Sequence, residues 1–401
     1  MANVSSSNGL EKRPKLRFPG FDEPYKQCRI GDIYAERSQR GASDMELLSV
    51  TMNDGVKPRS EIEGKDNSSE DKSNYKIVRK GDMVYNSMRM WQGANGISPC
   101  DGIVSPAYTV LMPKQEINNG YFAALFKSAN LINEFRKNSQ GMTSDTWNLK
   151  YPQIETIKVQ IPSVSEQDKV SEMFSVLDER IAAQSQLVES LKKYKRGVVR
   201  TLLSPKHCKL KNVEWTTAKI GDIGTFIKGA PLSKADISSD GTPFILYGEL
   251  YTTYNEVISK VVRKTQASVD KQYYSQIGDV IIPTSGETPE EISTASCVML
   301  PDIILAGDLN IYRCTQVDGR IMSYILNHVV NDRIARVAQG KSIVHVQATE
   351  ISKIEITYPD LISQKKLIET FDAITARIDQ SMRELELLQV HRKALLQQLF
   401  I

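Results

Sequence analysis

Apolar residues recur at alternating spacings of four and three positions in two stretches of the chain, 163–203 and 363–401. This spacing is typical of the a and d positions of a coiled-coil heptad and predicts two long helices. The second series follows the first by 197 positions throughout, and polar residues interrupt both at the same places, Gln184 with Ser381 and Lys195 with Arg392. The predicted interface residues are Val170, Phe174, Leu177, Ile181, Val188, Leu191, Val198, Leu202, Leu367, Phe371, Ile374, Ile378, Leu385, Leu388, Leu395 and Leu399.

The first predicted helix has defined ends. Ser163 stands three residues before Glu166, the spacing of a capping box, and Ser204-Pro205 ends the helix because proline cannot continue it. At about 1.5 Å per residue the helix is about 55–60 Å long, too long for the core of a compact domain. Two unrelated amphipathic helices are the alternative, but agreement at every apolar position favours a repeat. Parallel pairing in register would place Lys195 opposite Arg392, so antiparallel pairing is favoured.

The regions around these helices predict a mixed α/β (α+β) fold that is used twice. Short β-branched and aromatic runs at 75–78 and 82–85 predict strands, and helical spacing over 121–136 predicts a helix. Ile30-Gly31-Asp32-Ile33 recurs as Ile220-Gly221-Asp222-Ile223, whereas the loops differ. We expect a flexible basic tail at 1–20, recognition domains at 21–162 and 206–362, and helices at 163–205 and 363–401. The two halves should form an internal pseudo-two-fold repeat.

This order of elements resembles the specificity subunits of type I restriction-modification systems over essentially the whole chain. The opening 14–21, with its Lys15-Leu16-Arg17-Phe18 core, and Ser165-Glu166-Gln167 at the helix entry are similar to family patterns. The chain departs from them at Tyr25, where tryptophan is usual, and at Ser363-Gln364, which lacks the expected glutamate.

The resemblance implies a DNA sequence-recognition subunit that reads a bipartite, asymmetric target, one half-site per domain. The helices would set the spacing between half-sites and dock two modification (methyltransferase) subunits and two ATP-dependent restriction subunits. The subunit would be non-catalytic and bind no cofactor, with S-adenosylmethionine, ATP and Mg²⁺ on the partner subunits. Double-stranded DNA would be its ligand.

Composition is consistent with a globular protein and shows no sign of a metal or membrane segment. The chain has 401 residues, 40% of them hydrophobic and 25% charged, and its five cysteines and four histidines do not cluster. No apolar run approaches the roughly 20 residues needed to span a bilayer, and the N-terminus lacks a signal-peptide pattern, so a cytoplasmic location is expected. The net charge of +3 matches the excess in the N-terminal tail alone.

Motifs of catalysis are incomplete in this sequence. A methyltransferase needs a glycine-rich cofactor loop and an Asn/Asp-Pro-Pro-aromatic motif, and neither string occurs. Gly340-Lys341-Ser342 resembles the end of a phosphate-binding loop, but Ala335 holds the place of its first glycine. Glu61, Glu63 and Lys65 imitate part of a nuclease triad without the upstream aspartate. A coiled-coil scaffold with two ligand-binding heads remains the alternative to DNA recognition.

DNA readout needs donors aimed at base edges and cations on phosphates. In the first domain, Asn86-Ser87-Met88-Arg89-Met90-Trp91-Gln92 follows a predicted strand. Arg89 could span a guanine, and Asn86 or Gln92 an adenine, with Ser87 and Trp91 beside them. Lys57 and Arg59 are assigned to phosphates. The alternative keeps Met90 and Trp91 in the core and gives Arg89 a surface ion pair.

The equivalent segment of the second domain is 283–287, after the predicted strand 279–282. Glu287 could accept from a cytosine amino group, and Thr284 or Ser285 could contact either base type. Basic and tyrosine side chains nearby predict a phosphate-binding wall, with a solvated rim as an equal alternative. The remaining candidates for DNA contact are Lys228, Tyr247, Lys260, Arg263, Lys341 and His345.

Overall fold

The computed structural model of the chain describes residues 2–3, 13–41, 44–52, 55–64, 66, 68–338 and 344–401. The chain divides into two compact units. Met1–Ser185 and Arg383–Ile401 form the first, and Gln186–Met382 forms the second. Each unit contains one α/β region and part of each long helix. Within the described residues, no helix is both long and apolar enough to cross a membrane.

The two long helices are the central helix, Val164–Leu202, and the C-terminal helix, Leu361–Gln398. Every predicted interface residue on them is buried or half-buried, as expected for the a and d positions of a heptad. Within the first unit, Phe174 stacks on Phe400 at 5.9 Å and the Gln184 amide donates to Glu384 at 3.2 Å. From the first contact to the second, the residue number increases in the central helix and decreases in the C-terminal segment. The predicted antiparallel pairing is therefore confirmed there.

Both cations that interrupt the heptads have a carboxylate partner within their own unit. In the first unit, Arg392 Nη2 lies 3.0 Å from Asp178 Oδ2, on the facing helix. In the second unit, Lys195 Nζ lies 2.9 Å from Glu256 Oε2, and His328 Nε2 lies 2.8 Å from the other oxygen of that carboxylate. Pairing offsets the cost of removing these charges from water.

The α/β region of the first unit is built on a four-stranded antiparallel sheet in the order Tyr34–Glu36, Tyr108–Pro113, Met83–Asn86 and Asn95–Ile97. Four further helices pack with it into one core, together with Phe174 and Phe400. They are Ile30–Ile33, Asn119–Leu125, Ala129–Asn138 and Tyr151–Ile154. The other strands are Ala2–Asn3, Leu16–Arg17, Lys26–Arg29, Leu48–Thr51, Gly55–Pro58, Lys76–Val78, Gly102–Val104 and Lys158–Ile161, and the 3₁₀ helices are Arg59–Glu61 and Met90–Gln92.

The second unit repeats this plan around a five-stranded sheet in the order Gly224–Lys228, Leu309–Cys314, Asp279–Pro283, Ser296–Val298 and Val257–Ile258, the last pair being parallel. Its other strands are Trp215–Lys219, Thr242–Leu246, Arg263–Thr265, Ser285–Gly286, Ile304–Ala306, Val344–His345 and Glu355–Pro359. Its helices are Ile220–Ile223, Glu249–Thr252, Pro289–Ile292, Gly319–His328, Asn331–Val337 and Ala348–Ser352, with 3₁₀ helices at Lys234–Asp236 and Lys271–Tyr273.

The recurring short motifs have structural roles in both units. Gly31 and Gly221 lie in the equivalent short helices Ile30–Ile33 and Ile220–Ile223, where an added Cβ would lie 2.9 Å from Glu155 Cβ and 2.8 Å from Ser352 Cβ, respectively. Asp82, which is buried, accepts from Arg37 and from the Arg79 amide. Asp279 does the same with Arg313 and the Gln276 amide. These contacts confirm the repeat in three dimensions.

The entry to the central helix differs from the predicted capping box. Glu166 turns away from the backbone and pairs with Arg17, whose Nε lies 2.9 Å from Oε1 and whose Nη2 lies 2.8 Å from Oε2. Arg17 is only 5% exposed, and Leu16 and Phe18 pack against the core. The prediction of a flexible tail up to residue 20 is therefore wrong for residues 16–18. Residues 4–12 lie outside the described part of the chain.

The predicted helix over 121–136 is two helices. Asn119–Leu125 ends before Lys127, and Ala129–Asn138 begins after Ser128, whose hydroxyl accepts from the Leu131 amide at 3.4 Å. Apolar spacing continues through the break, so the periodicity alone did not reveal it. The second helix ends near the candidate interface described next.

Candidate nucleic-acid interface

The segment after the strand Met83–Asn86 is a tight turn followed by the 3₁₀ helix Met90–Gln92. Asn86 Oδ1 accepts the Met88 amide at 3.0 Å, so this side chain stabilises the turn. The Ser87 hydroxyl is buried and lies 2.9 Å from that of Thr109. The structure thus differs from the prediction at Ser87, because its hydroxyl is engaged inside the domain.

Arg89 and Gln92 are exposed on this segment. Arg89 makes no side-chain ion pair within the described parts of the chain, which argues against that part of the alternative interpretation. Met90 is fully buried, as the alternative predicted, and Trp91 is half-buried. The guanidinium of Arg89 is therefore available for a ligand, two residues before the half-buried Trp91.

Trp91 is held by three contacts. Its Nε1 donates to the Met88 carbonyl at 3.1 Å, Trp147 packs edge-to-face at 5.2 Å between ring centroids, and the Arg136 guanidinium lies 5.4 Å from its ring. Arg136 was missed from the sequence. It lies in the last turn of a helix that leads into a glycine-containing loop, which was the available signal.

That loop, residues 140–148, joins the turn at residues 86–92. Gln140 and Asn148 exchange two backbone hydrogen bonds that close it, and the Leu149 amide donates to the Ser87 carbonyl at 2.8 Å. Arg89 on the turn, and Arg136 and Lys150 beside the loop, are exposed cations. We define the surface formed by residues 86–92, Arg136 and residues 140–150 as the first interface.

The two phosphate candidates of the first domain have other surroundings. Arg59 Nη1 donates to the Ile62 carbonyl at 2.5 Å and Nη2 to the Gly64 carbonyl at 2.9 Å, so the guanidinium organises its own loop. Lys57 lies half-buried on the strand Gly55–Pro58. The assignment of Arg59 to a phosphate is weakened, since most of its donors are directed at the loop.

The second domain brings its candidates together by an equivalent contact. The Val346 amide donates to the Thr284 carbonyl at 3.0 Å, matching the contact between Leu149 and Ser87 at an offset of 197 on both sides. Ser285 pairs with His345 in a two-stranded ladder. His345 is exposed and corresponds to Asn148 at the same offset. Lys341 lies outside the described residues.

Polar groups around this ladder are partly committed to the fold. The Ser285 hydroxyl is buried and donates to Asp308 Oδ2 at 2.9 Å, so the structure differs from the prediction of a base contact there. Burial raises the pKa of Tyr251, whose hydroxyl stays protonated and donates to the Ser285 carbonyl at 2.6 Å. Glu287 is exposed, and Thr284 is half-buried.

The predicted phosphate-binding wall is mixed in character. Lys228 and Lys260 are exposed, the former at the end of the strand Gly224–Lys228. Arg263 Nε donates to the buried Glu249 at 2.7 Å, which neutralises its charge locally. Tyr247 is half-buried and packs on Tyr251 at 6.4 Å. Lys228 and Lys260 are thus the better candidates for phosphate contact.

No group of three or more histidine, cysteine or acidic side chains arranged to hold a metal ion occurs among the described residues. The polar and basic side chains of both interfaces are instead hydrogen-bond donors, acceptors and cations on preformed loops. Such groups suit a nucleic acid, because cations can contact its phosphates and hydrogen-bonding groups can contact the edges of its bases.

Two stretches of the chain, residues 23–193 and 212–389, match the family described as the type I restriction modification DNA specificity domain. The chain belongs to this family. It is a type I restriction-modification specificity subunit with DNA-recognition domains, and each match spans one repeat found in the structure. The family resemblance inferred from the sequence is therefore confirmed.

Individual relatives agree with this membership. The chain is 21% identical over 347 residues to the type I restriction enzyme MjaVIII specificity subunit of Methanocaldococcus jannaschii, covering 80% of this chain and 78% of that relative. It superposes on the type I restriction-modification S subunit from M. genitalium with a TM-score of 0.57 and 14% identity, over 97% of this chain and 99% of that one.

A second solved chain comes from a study of complex assembly and conformational transition of the type I R-M system. Its TM-score is 0.60 at 14% identity, with 95% of this chain and 98% of that chain covered. These superpositions establish the fold, with its two domains and long antiparallel helices.

Proposed function

We propose that this chain reads a bipartite, asymmetric DNA target, with one half-site for each recognition domain. The observation that supports the proposal is a backbone hydrogen bond that occurs in both domains. In each domain it joins the segment that follows a central strand to a loop distant in sequence, through Leu149 and Ser87 in the first domain and Val346 and Thr284 in the second. The same framework therefore presents two surfaces. Their side chains differ, since the first offers Arg89 and Trp91 where the second offers Gly286 and Glu287 at or near equivalent positions.

Different side chains on equivalent frames should select different base sequences. Arginine pairs best with guanine O6 and N7, whereas a glutamate accepts from the cytosine amino group. The first half-site should therefore contain a guanine read by Arg89. The second should contain a cytosine read by Glu287, with Lys228 and Lys260 on nearby phosphates.

We further propose that the long helices set the distance between the half-sites and dock the partner subunits. In the first unit, apolar side chains on the outside of these helices support docking, because Val176 is 60% exposed, Leu387 57% and Val390 55%. Two modification subunits and two restriction subunits would assemble with this chain. S-adenosylmethionine, ATP and Mg²⁺ would bind to those partners, and this chain would be non-catalytic and act in the cytoplasm.

Mapping of methylated bases in DNA from cells that express the chain with its modification subunit tests this function. The expected result is methylation within one asymmetric motif that consists of two short specific sequences separated by unread bases. A motif that is continuous would contradict the bipartite reading. If the assembled complex bound DNA without sequence dependence, the alternative of a scaffold with two ligand-binding heads would replace it.

A further inference from the structure

Met142 stands at the tip of the loop 140–148 and is 99% exposed. Among the large apolar side chains of the described residues the next most exposed is Ile362, at 70%. The preceding Gly141 has φ +141°, and a Cβ there would lie 2.6 Å from the Thr146 carbonyl oxygen. The chain at this point therefore requires glycine. It also places a long apolar side chain in water, and a ligand that covered this side chain would gain free energy by removing its apolar surface from water.

The loop that carries Met142 is held in one shape. Besides the backbone pair of Gln140 and Asn148, the Thr143 amide donates to Thr146 Oγ1 at 3.1 Å, and that hydroxyl donates to the Thr143 carbonyl at 2.9 Å. At its base, Trp147 packs on Trp91. Met142 thus projects from a preformed tip on the first interface, and little ordering entropy is lost when a ligand binds.

DNA offers an apolar side chain few partners. Phosphates are met by cations and hydrogen-bonding groups, whereas the apolar surface that can distinguish one base from another lies on thymine methyl groups in the major groove and on base faces at an opened step. Both of these lie at the bases. An exposed methionine on a DNA-binding surface is therefore suited to base contact and unsuited to phosphate contact.

We propose that Met142 is a specificity-determining residue that contacts the bases of the first half-site through its apolar side chain. This inference rests on the proposed function of the first domain as a DNA reader. Base discrimination in the first half-site was predicted from the sequence for residues 86–92 alone. The inference adds the tip of the loop 140–148 to the residues that discriminate between bases.

The second domain differs at the corresponding position. Seven residues separate Gly141 from Leu149, but five separate Gly340 from Val346, and the residue after the glycine is Lys341 instead of methionine. A shorter segment with a cation suits the sugar-phosphate backbone rather than base faces. The apolar contact should therefore be confined to the half-site of the first domain.

The test uses the full chain assembled with its modification subunits, on DNA that carries the mapped target. Met142→Ala is compared with Met142→Leu, which keeps an apolar side chain, and with Met142→Lys. Ile277→Ala, which removes a 62% exposed side chain from the second domain, is the matched control. Each thymine of the first half-site is replaced by uracil, and 2-aminopurine is placed at each base step in turn.

Wild-type protein should lose about tenfold in affinity at one uracil position, the order of one base contact, or should raise 2-aminopurine fluorescence at one step. Met142→Ala should abolish whichever effect is seen, Met142→Leu should keep it, and Ile277→Ala should leave it unchanged. The uracil response identifies a thymine methyl as the partner, and the fluorescence response identifies an opened step.

Two outcomes would overturn the inference. One is a wild-type complex with sequence-dependent binding that shows neither effect. The other is a Met142→Ala variant whose affinity for all half-site sequences falls equally. In both cases the proposed function survives, because the wild type still discriminates. Loss of sequence dependence in the wild type itself would instead refute the proposed function.

Discussion

Replacing Glu256 by Gln should destabilise the second unit by about 3 kcal/mol at neutral pH, because the carboxylate is buried between two cationic or hydrogen-bonding partners. The carboxylate holds Lys195 of the central helix at 2.9 Å and His328 at 2.8 Å, and both partners have side chains only 9% exposed. Lys195 would keep its charge but lose its only described carboxylate partner. Removing one member of a buried pair typically costs about 3–5 kcal/mol, because the other charge stays buried.

The magnitude follows independently from the pKa of this carboxyl. Burial acts to raise it, but the hydrogen bond from His328 and the charge of Lys195 outweigh burial and lower the pKa from 4.5 to about 2. A carboxyl with that difference between unfolded and folded states contributes about 3 kcal/mol at neutral pH. Since the folded-state pKa is depressed, the contribution is complete well above pH 4.5 and disappears as the pH falls towards 2.

Urea denaturation of wild type and Glu256→Gln between pH 7 and pH 3 measures this contribution as a difference in unfolding free energy. The difference should be about 3 kcal/mol at pH 7 and decline to about 1.5 kcal/mol at pH 3. Glu189→Gln is the control, since its pair with Lys192 is exposed and should contribute at most about 0.5 kcal/mol. A difference that is below 1 kcal/mol at pH 7, or that does not change with pH, would refute the reasoning.

Three further predictions concern the two units. Arg89→Ala should relax discrimination at one base pair of the first half-site, at a cost of about 1–3 kcal/mol there; a uniform loss across a panel of base variants would make Arg89 a phosphate contact. Phe400→Ala removes a buried ring that stacks on Phe174, and should cost about 3–5 kcal/mol. Hydrogen exchange should rise in first-unit peptides alone, and equal change in both units would contradict this assignment. A chain truncated after Ser204 should dimerise, because Leu202 and Leu203 of a second copy can take the places of Leu399 and Phe400. Together with modification subunits, this dimer should methylate a symmetric inverted repeat of the first half-site. A strict monomer in solution would contradict this expectation.

Long-range periodicity made the helices predictable from sequence. An apolar series sustained over the 39 residues of Val164–Leu202 leaves little choice of structure, and the repeat at 197 positions supplied an internal check. The strand at 279–282 was also correct, since Asp279–Pro283 is observed. These features depend on local pattern, which a sequence displays directly.

Contacts between distant segments could not be predicted in this way. Nothing near Lys195 in the sequence indicates that its partner is Glu256, and nothing near Arg17 indicates Glu166. The burial of Ser87 and Ser285 depends on Thr109 and Asp308, which come from other strands and loops. Serine is more often exposed than buried, so its residue type favoured a surface position that the contacts with distant segments overrode.

Exchange of residues 21–162 for the first recognition domain of another family member tests the central claim most directly. The methylated motif of the chimaera would be mapped in cells with the same modification subunit. We predict that the half-site read by the first domain changes to that of the donor, while the other half-site stays the same. Change in both half-sites, or in neither, from a folded chimaera would contradict the account of two independent readers.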